Sequence, residues 1–431
     1  MGAANQKMWV DAGISSSQTS LVNFITHPSN SSLKVYFMAD PPHLLKSIRN
    51  CLLKNNIILP ATETTKHLKS RIVSIEHLKM LHEFQKSSNF KLLIRLTDEF
   101  FNLSNYKKMR VDMAAKLLSH SAASALYFMN SIGAAPEEIT TAYFCDLINK
   151  WFDILNNRTN TTQMNEIMKI NDMSNLTKAI TFSDKRKWKP IQKGILLTNK
   201  TIINLFNELT SEKVDFKLGR MSQDCIENLF SQIRSKGDCN PTSLKFKINL
   251  KLITLSNYLK FSNNTNYNND ESIYLLNMLQ TKEKNELENN DEINLIKSLK
   301  EIEMNSNLIY YITGWNTFKE KITCEECKFN YINNTNSSDE NSIFTYIKSD
   351  GKLIHPTNKL FNFFISVNTI VDSCNLLQYA LVENDLYIKC IDRNISFQML
   401  NCKCHPHLVN MIKRFIRLKL YTYAKELSNK N

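Results

Sequence analysis

An apolar run that stops at an acidic residue and two prolines constrains this chain most. Residues 33–39 are mostly apolar and include β-branched and aromatic members, a pattern that predicts a buried strand with Asp40 at its carboxyl end. Pro41 and Pro42 then prevent further ladder pairing. Asp40 is therefore predicted at the mouth of a sheet, where α/β folds bind their ligands. The alternative is an Asp that caps a helix beginning at Pro41.

A second acidic residue lies on a predicted helix. Ile226, Leu229, Phe230 and Ile233 recur at helical spacing, which predicts a buried stripe. Asp224, Glu227 and Ser231 follow on an adjoining face. A strand-end Asp and a helix-borne Glu can share a divalent metal, although Asp224 and Glu227 also fit a capping box at a helix start.

These segments resemble the P-element transposase family, which includes relatives with an amino-terminal THAP module. The resemblance rests on D-x-P-H-L-x-K-x-x-R-N at residues 40–50 and on S-Q-D-x-x-E-N-x-F-x-x-I-R-x-x-G-x-x-N-P-T at residues 222–242. It extends to FDILN at 152–156, MRVDMAAKLLSHSAA at 109–123, and CEEC followed by DGKLIHPT at 350–357. The family implies an RNase H-like nuclease core, split by a GTP-binding insertion, that cuts and joins DNA with three carboxylates and Mg²⁺.

The resemblance also assigns residues. It makes Asp40 and Glu227 the second and third catalytic acids and ligands of Mg²⁺. No Walker-type phosphate loop is present in the sequence, and the family binds GTP without one. By resemblance, Phe152 stacks on the guanine while Asp153, Asn156 and Asp224 meet its edge. Further nucleotide contacts fall on Arg95, Arg110, Val111 and Ser119.

Without the resemblance, Phe152 is simply a core aromatic of an amphipathic helix. His43 has no assigned catalytic role, because a His at a helix start also packs or caps.

The first residues suggest that the chain opens inside the nuclease core. Residues 1–6 are similar to the family's Asp-Gly-Ala-x-x-Asn block, with Met1 in place of Asp. The strand with the first catalytic Asp would then be missing, and the expectation is that this polypeptide does not cleave DNA by itself.

Composition limits the partners. The formal net charge of +13 over 431 residues favours a polyanionic partner such as DNA. The alternative is a basic protein that has no such partner. Ten scattered Cys without a signal peptide favour a reducing compartment. No apolar run approaches the roughly 18 residues of a membrane span, so no membrane partner is expected. The basic cluster at residues 185–189 is either a nuclear localisation signal or a solvated surface, and we predict a nuclear protein.

A C-x-x-C pair gives a weaker metal prediction. Cys324 and Cys327 have the spacing of half a Zn²⁺ site, and Cys402, Cys404, His405 and His407 offer the other half. The alternative is ordinary thiols, because the two halves are distant in sequence. Farther on, an apolar stripe predicts a helix with a basic surface over residues 406–427.

Together these features predict an α/β plus all-α protein. The predicted domains are a partial RNase H-like core at 1–60, a mainly helical GTP-binding insertion at 61–216, core helices with the catalytic Glu at 217–262, and a helical C-terminal region at 263–431. The predicted function is a P-element-like DNA transposase that forms a homo-oligomer. The alternatives are a decayed or domesticated copy that binds nucleic acid or protein, and a GTP-binding scaffold.

Overall fold

The computed structural model describes most of the 431 residues. The exceptions are residues 1–2, 18–19, 63–64, 67, 69, 87–89, 95, 134–137, 185–188, 236–240, 260–290, 334–339, 350–352, 375–382, 394–396, 401, 403–404 and 430–431. None of the described helices is both long and apolar enough to cross a membrane.

Helices dominate the described chain, as the sequence predicts. In order they are α1 (Ala3–Asp11), α2 (Pro41–Leu52), α3 (Ile75–Phe84), α4 (Asn105–Lys108), α5 (Val111–Leu117), α6 (His120–Ser131), α7 (Ile139–Asn156), α8 (Met164–Ala179), α9 (Pro190–Ser211), α10 (Asp224–Ser235), α11 (Ser243–Leu259), α12 (Asp291–Lys319), α13 (Glu325–Tyr331), α14 (Ile343–Ser349), α15 (Asn358–Asp372), α16 (Glu383–Asp392), α17 (Phe397–Leu400) and α18 (His407–Asn429).

The strands are short and form small antiparallel sheets. They are β1 (Ser15–Ser16), β2 (Leu21–Val22), β3 (Phe24–His27), β4 (Asn30–Tyr36), β5 (Ile57–Ile58), β6 (Ile72–Val73), β7 (Thr181–Phe182), β8 (Ile332–Asn333) and β9 (His355–Pro356). The pairs are β1 with β2, β3 with β4 and β8 with β9, and a three-stranded sheet has the order β6-β5-β7.

The chain divides into two compact units. Unit 1 contains residues 1–44, 152–174 and 193–282, and unit 2 contains residues 45–151, 175–192 and 283–431.

The prediction of a buried strand that ends at Asp40 is wrong, because the strand is partly exposed and ends earlier. Strand β4 stops at Tyr36, and Leu33 within it is 52% exposed. Among the described strands β4 pairs with β3, and one further backbone bond follows Tyr36, from the Phe37 N–H to the Asn23 carbonyl at 2.8 Å. The next residues bind helix α9 instead, where the Thr201 hydroxyl donates to the Phe37 carbonyl at 2.6 Å. Asp40 thus follows a short connector and begins a helix rather than ending a sheet.

The predicted buried stripe of α10 is also wrong in part. Ile233 is buried, whereas Ile226 is 56% and Phe230 is 41% exposed. Within the described residues, α10 packs against α11, where the rings of Phe230 and Phe246 lie 6.3 Å apart. One neighbouring helix covers only part of an amphipathic stripe, which explains why the periodicity overestimates the burial.

Unit 2 has an aromatic core around its C-terminal helices. Phe364 packs on Phe415 of α18 with centroids 5.2 Å apart, and Phe128 of α6 meets Phe344 of α14 edge to face at 5.3 Å. The helix predicted over 406–427 is present as α18, and Leu408, Met411, Ile412 and Phe415 on it are buried.

Candidate functional site

Asp40 is fixed by the connector that precedes it. The Thr198 hydroxyl of α9 accepts the Ala39 N–H at 2.9 Å and donates to the Ala39 carbonyl at 2.8 Å. Thr198 is fully buried, so both polar groups of Ala39 depend on this one side chain in place of water. Asp40 then begins α2 as a cap, because its Oδ2 accepts the His43 N–H at 3.2 Å. The capping alternative therefore describes its local structure.

His43 lies between the two acidic residues. Its Nδ1 is 2.7 Å from Asp40 Oδ2, and its Nε2 is 3.5 Å from Glu227 Oε1. Asp40 and Glu227 are far apart in sequence, yet one imidazole ring contacts both carboxylates. With a proton on Nδ1 the ring donates to Asp40 Oδ2, and its Nε2 faces the Glu227 carboxylate.

The surroundings of Asp40 keep its carboxylate ionised. Burial by itself raises the pKa of Asp40, but hydrogen bonds from the His43 side chain and from the N–H groups of Gln223 and His43 outweigh it. The pKa of Asp40 consequently lies below its ordinary value. A buried carboxylate that stays charged at neutral pH suits the binding of a cation.

The helix that carries Glu227 is attached to Asp40 through its first residues. The Gln223 N–H donates to Asp40 Oδ1 at 2.9 Å, immediately before α10 begins. Glu227 lies one turn farther along, with its side chain about half exposed. Asp40 thus caps α2 and also anchors the start of α10, which explains how two distant motifs meet. Asp224 begins α10, and its side chain lies outside the described part of the structure.

Two carboxylates are the right kind of ligand for a divalent ion, although their donor atoms and those of His43 do not form a compact set. Carboxylate oxygens are the ligands that Mg²⁺ prefers. Asp40 accepts three hydrogen bonds, and a carboxylate offers about four lone-pair positions, so it retains room for a metal bond. In the described part of the chain, the donor atoms of Asp40, His43 and Glu227 do not all lie within 4.8 Å of one another.

Three residues predicted to bind guanine lie at the end of α7, in unit 1. Phe152 is half-buried, and Asp153 and Asn156 are exposed. Phe152 and Asn156 are one helical turn apart and share a face, an arrangement that allows a ring to stack while an amide meets the base edge.

The end of α7 is joined to the segment that leads into α10. The Gly219 N–H donates to the Asn157 carbonyl at 2.9 Å. A Cβ added at Gly219 would lie 2.6 Å from the Asn156 carbonyl oxygen, so only glycine allows this approach. The FDILN segment and the Asp40–Glu227 pair are therefore connected through residues 219–223.

Arg110, Val111 and Ser119, which are also predicted to contact the nucleotide, lie in unit 2. Arg110 forms a two-pronged ion pair with Asp112, with distances of 2.9 and 2.7 Å, which lowers the pKa of Asp112 to about 2. Val111 begins α5, and the Ser119 hydroxyl caps α6 by accepting the Ala122 N–H at 3.1 Å. Arg95 lies outside the described residues.

A buried arginine of the first motif supports this region. Arg49 is fully buried and donates to the carbonyls of Lys108 and Arg110 and to the side chain of Asn50. A buried guanidinium needs such partners, so Arg49 fixes the backbone at the start of α5.

Two further side chains that can bind a metal lie close to the predicted cysteine pair. Cys324 and Cys327 lie at the start of α13, and Cys402 and His405 converge on them. His407 pairs with Glu320 instead, and Cys404 lies outside the described residues.

Comparisons with known proteins agree with the predicted resemblance. The model of the TNP-like GTP-binding insertion domain matches residues 42–167, and that of the TNP-like RNase H C-terminal domain matches residues 220–248. The Transposable element P transposase of Drosophila melanogaster is 29% identical over 391 residues, which are 83% of this chain. This chain resembles the P-element transposases over most of its length.

Two further matches support this resemblance. The human DNA transposase THAP9 is 35% identical over 136 residues, which are 31% of this chain and 14% of that protein. The solved Drosophila P element transposase strand transfer complex superposes with a TM-score of 0.52 at 27% identity, covering 59% of this chain and 58% of that one. The chain spans 48% of the Drosophila relative's length. The predicted fold class, α/β plus all-α with an RNase H-like core, a GTP-binding insertion and a helical C-terminal region, is confirmed in a mostly helical structure with small sheets.

The sequence did not reveal the role of three residues that shape this site: His43, Thr198 and Gly219. The position of His43 one turn after a capping Asp was visible, but its contact with Glu227 was not. Gly219 had one possible signal, because the chain contains only eight Gly and this one lies outside any obvious turn motif. Thr198 offered no signal, since a Thr within a helix usually bonds its own helix.

We expect Thr198→Val to lower the free energy of unfolding by about 2 kcal/mol, because it leaves the N–H and carbonyl of Ala39 unpaired in a buried place. Denaturant titration checks this. Thr254→Val is the matched control, since the Thr254 hydroxyl only bonds the Leu250 carbonyl of its own exposed helix turn. Equal losses in the two variants would show that the connector before Asp40 does not depend on Thr198.

Proposed function

We propose that this chain is a transposase polypeptide that takes part in metal-dependent DNA strand cleavage and transfer and that binds GTP. The observation that carries the proposal is the meeting of Asp40 and Glu227 on the two nitrogens of the His43 ring. The Drosophila relative is a transposase, and the matching solved structure is a strand transfer complex. Both support reading this pair of acids as part of a nuclease site.

Asp40 and Glu227 would hold Mg²⁺, and His43 would orient Asp40. When bound, such ions activate an attacking oxygen and stabilise a leaving oxygen. Asp40 contributes a carboxylate that its hydrogen bonds keep charged, and His43 contributes a ring that fixes the orientation of Oδ2. Glu227 is the more exposed of the two acids, so its side chain is accessible from solvent.

GTP would bind at the end of α7. Phe152 would stack on the guanine, and Asp153 and Asn156 would recognise its edge. Asp224, three residues before Glu227, would complete the recognition of the base. The match to a GTP-binding insertion domain over residues 42–167 supports this assignment, since it includes the FDILN segment. Arg95, Arg110, Val111 and Ser119 would add contacts, and Arg110 would have to exchange its pairing with Asp112 for one with the nucleotide.

DNA is the proposed macromolecular partner. The net charge of +13 favours a polyanion, and binding that releases counterions weakens steeply as salt rises. Action on DNA supports a nuclear location, and transposition requires two DNA ends to be held together, which supports a homo-oligomer.

The direct test of the proposed function is a nicking assay on end-labelled duplex DNA with Mg²⁺ or Mn²⁺. Wild type is compared with Glu227→Gln, which removes one charge and keeps the size of the side chain. Nicking by wild type that disappears in Glu227→Gln supports strand cleavage. Nicking that persists unchanged in Glu227→Gln would show that another site, or a contaminating nuclease, is responsible.

A second candidate function is DNA binding without cleavage. The observation in its favour is that Asp40, His43 and Glu227 do not form a compact ligand set with any third acid among the described residues. Silence of wild type and Glu227→Gln alike, together with DNA binding that salt abolishes, would support this alternative.

Asp153→Ala is expected to weaken GTP binding about 10- to 100-fold and to reduce the preference for GTP over ATP. A carboxylate can accept from the N1 and N2 donors of guanine, and losing a charge-assisted hydrogen bond costs about 1.5–3 kcal/mol. Competition between fluorescent GTP and unlabelled ATP measures both quantities. Asp172→Ala, which removes another exposed Asp of unit 1, is the control. Unchanged GTP affinity in Asp153→Ala would remove Asp153 from the site.

A further inference from the structure

Four possible metal ligands converge in the C-terminal part of unit 2. They are the sulfurs of Cys324, Cys327 and Cys402 and a ring nitrogen of His405, and all four donor atoms lie within 4.8 Å of one another. Cys327 and Cys402 are buried, and Cys324 and His405 are partly exposed. The cluster is therefore at the edge of the core, within reach of an ion from solvent.

Each half of the cluster is held by local structure. Cys324 is the N-cap residue of α13, and the Lys328 N–H donates to its carbonyl at 2.9 Å. Cys327 follows within the first turn of the same helix. The loop with Cys402 and His405 is anchored to α13 because the Tyr331 hydroxyl donates to the Leu400 carbonyl at 2.7 Å. The ligand positions are thus set by contacts other than the metal bonds.

The distances match the size of a tetrahedral site. Zn–S bonds of about 2.3 Å and Zn–N bonds of about 2.0–2.1 Å place neighbouring ligand atoms roughly 3.3–3.8 Å apart. Cys402 Sγ lies 3.7 Å from His405 Nδ1. Small side-chain movements would therefore bring all four donors to a common ion. Three sulfurs and one imidazole form a set that structural zinc sites use.

The contacts around the cluster indicate which nearby side chains belong to the ligand set and which do not. The His405 ring stacks on His407, with centroids 5.3 Å apart and planes 10° from parallel. His407 directs its Nδ1 to the Glu320 carboxylate at 3.1 Å, so it supports the His405 ring rather than joining the ligand set. The Glu326 carboxylate lies 3.7 Å from Cys402 Sγ but is otherwise exposed, which makes it a weaker candidate than the imidazole.

We propose that Cys324, Cys327, Cys402 and His405 bind one structural Zn²⁺ ion that fastens α13 to the loop before α18. The ion would stabilise the C-terminal part of unit 2, because metal bonds formed only in the folded chain add to the stability of folding. This proposal is independent of nuclease activity and of GTP binding.

The test is the metal content of the full 431-residue chain, purified under reducing conditions without chelator. Mass spectrometry of the metals is expected to find about one Zn²⁺ per chain. Cys402→Ser and His405→Ala are expected to lose most of it, whereas Cys390→Ser, which removes a buried thiol outside the cluster, and His407→Ala are expected to keep it. Co²⁺ added to the chelator-treated protein should give the visible absorption bands of a tetrahedral thiolate site.

Several results would overturn the proposal. One is a folded wild-type chain that contains no Zn²⁺ and takes up none from Zn²⁺-supplemented buffer. Another is full Zn²⁺ content in Cys402→Ser, and a third is a disulfide among these cysteines in freshly purified protein. If a variant fails to fold, the Zn²⁺ content of wild type and the protection of its cluster thiols from alkylation until chelator is added still decide the question.

Discussion

Replacing Gly219 by Ala is expected to lower the free energy of unfolding by about 3 kcal/mol and to weaken the binding of Mn²⁺ and GTP by about tenfold each. The added Cβ would lie 2.6 Å from the Asn156 carbonyl oxygen and 2.7 Å from its carbon, and neither backbone atom can move without displacing the end of α7. Overpacking of this kind costs about 1–3 kcal/mol, and a rigid neighbour puts it at the upper end. Because residues 219–223 join that helix end to Asp40, the shift would also disturb the Gln223–Asp40 hydrogen bond.

Gly194→Ala is the matched control for this prediction. Its Cβ would approach Leu44 Cδ2 at 2.5 Å, which is equally close, but that atom is the end of a flexible side chain. Gly194 also lies inside α9, where Ala is favoured over Gly by about 1 kcal/mol. We therefore expect Gly194→Ala to stay within about 1 kcal/mol of wild type. Equal stability losses, or unchanged Mn²⁺ and GTP affinities in Gly219→Ala, would show that the two segments are not coupled through residue 219.

Replacing Glu138 by Gln is expected to stabilise the protein at alkaline pH and to change little at acidic pH. Glu138 is buried, and both of its carboxylate oxygens are without a hydrogen-bond partner in the described part of the structure. Burial raises the pKa of Glu138 from 4.5 to about 8. The folded chain therefore keeps the proton between those pH values while the unfolded chain releases it, so wild-type stability falls as pH rises from about 4.5 to 8.

Gln has no proton to lose, so the advantage of the variant should grow across the same window. Each pKa unit corresponds to about 1.4 kcal/mol, so the shift gives a gain on the order of 5 kcal/mol above pH 8. Urea titrations at several pH values between 4 and 9 measure this. Glu212→Gln, which changes an exposed Glu, should differ from wild type by less than about 0.5 kcal/mol throughout. A gain that is the same at every pH would rule out the titration of Glu138 as its cause.

The sequence predicts features that depend on local pattern or on a shared motif. The helix α18 follows from its apolar periodicity, because a stripe of that spacing can be buried on one side only as a helix. The conjunction of Asp40 with Glu227 depends on the resemblance of two motifs to one family. The spacing of Cys324 and Cys327 likewise indicates half of a metal site, and the fold decides that Cys402 and His405 are their neighbours.

Features that depend on long-range contacts could not be predicted. The run before Asp40 has strand-like composition, but beyond Tyr36 its backbone is bound mainly by the hydroxyls of Thr198 and Thr201 on a distant helix. The exposure of Phe230 depends on how many helices cover α10, which periodicity does not reveal. The two contacts of His43 depend on where α10 lies, and its own sequence neighbourhood contains no information about that position.

Mn²⁺ binding measured by electron paramagnetic resonance is the most direct test of a shared metal site at Asp40 and Glu227. Titrations compare wild type, Asp40→Asn, Glu227→Gln and the double variant. Asp112→Asn serves as the control, since Asp112 is an ionised carboxylate engaged with Arg110 in unit 2.

If both acids hold the same ion, each single variant should weaken Mn²⁺ binding by at least about tenfold, and the double variant should weaken it little further, because residues that share a partner give non-additive effects. Asp112→Asn should bind Mn²⁺ as wild type does. Wild-type affinity in both single variants, or losses that add as for two independent sites, would contradict the shared site.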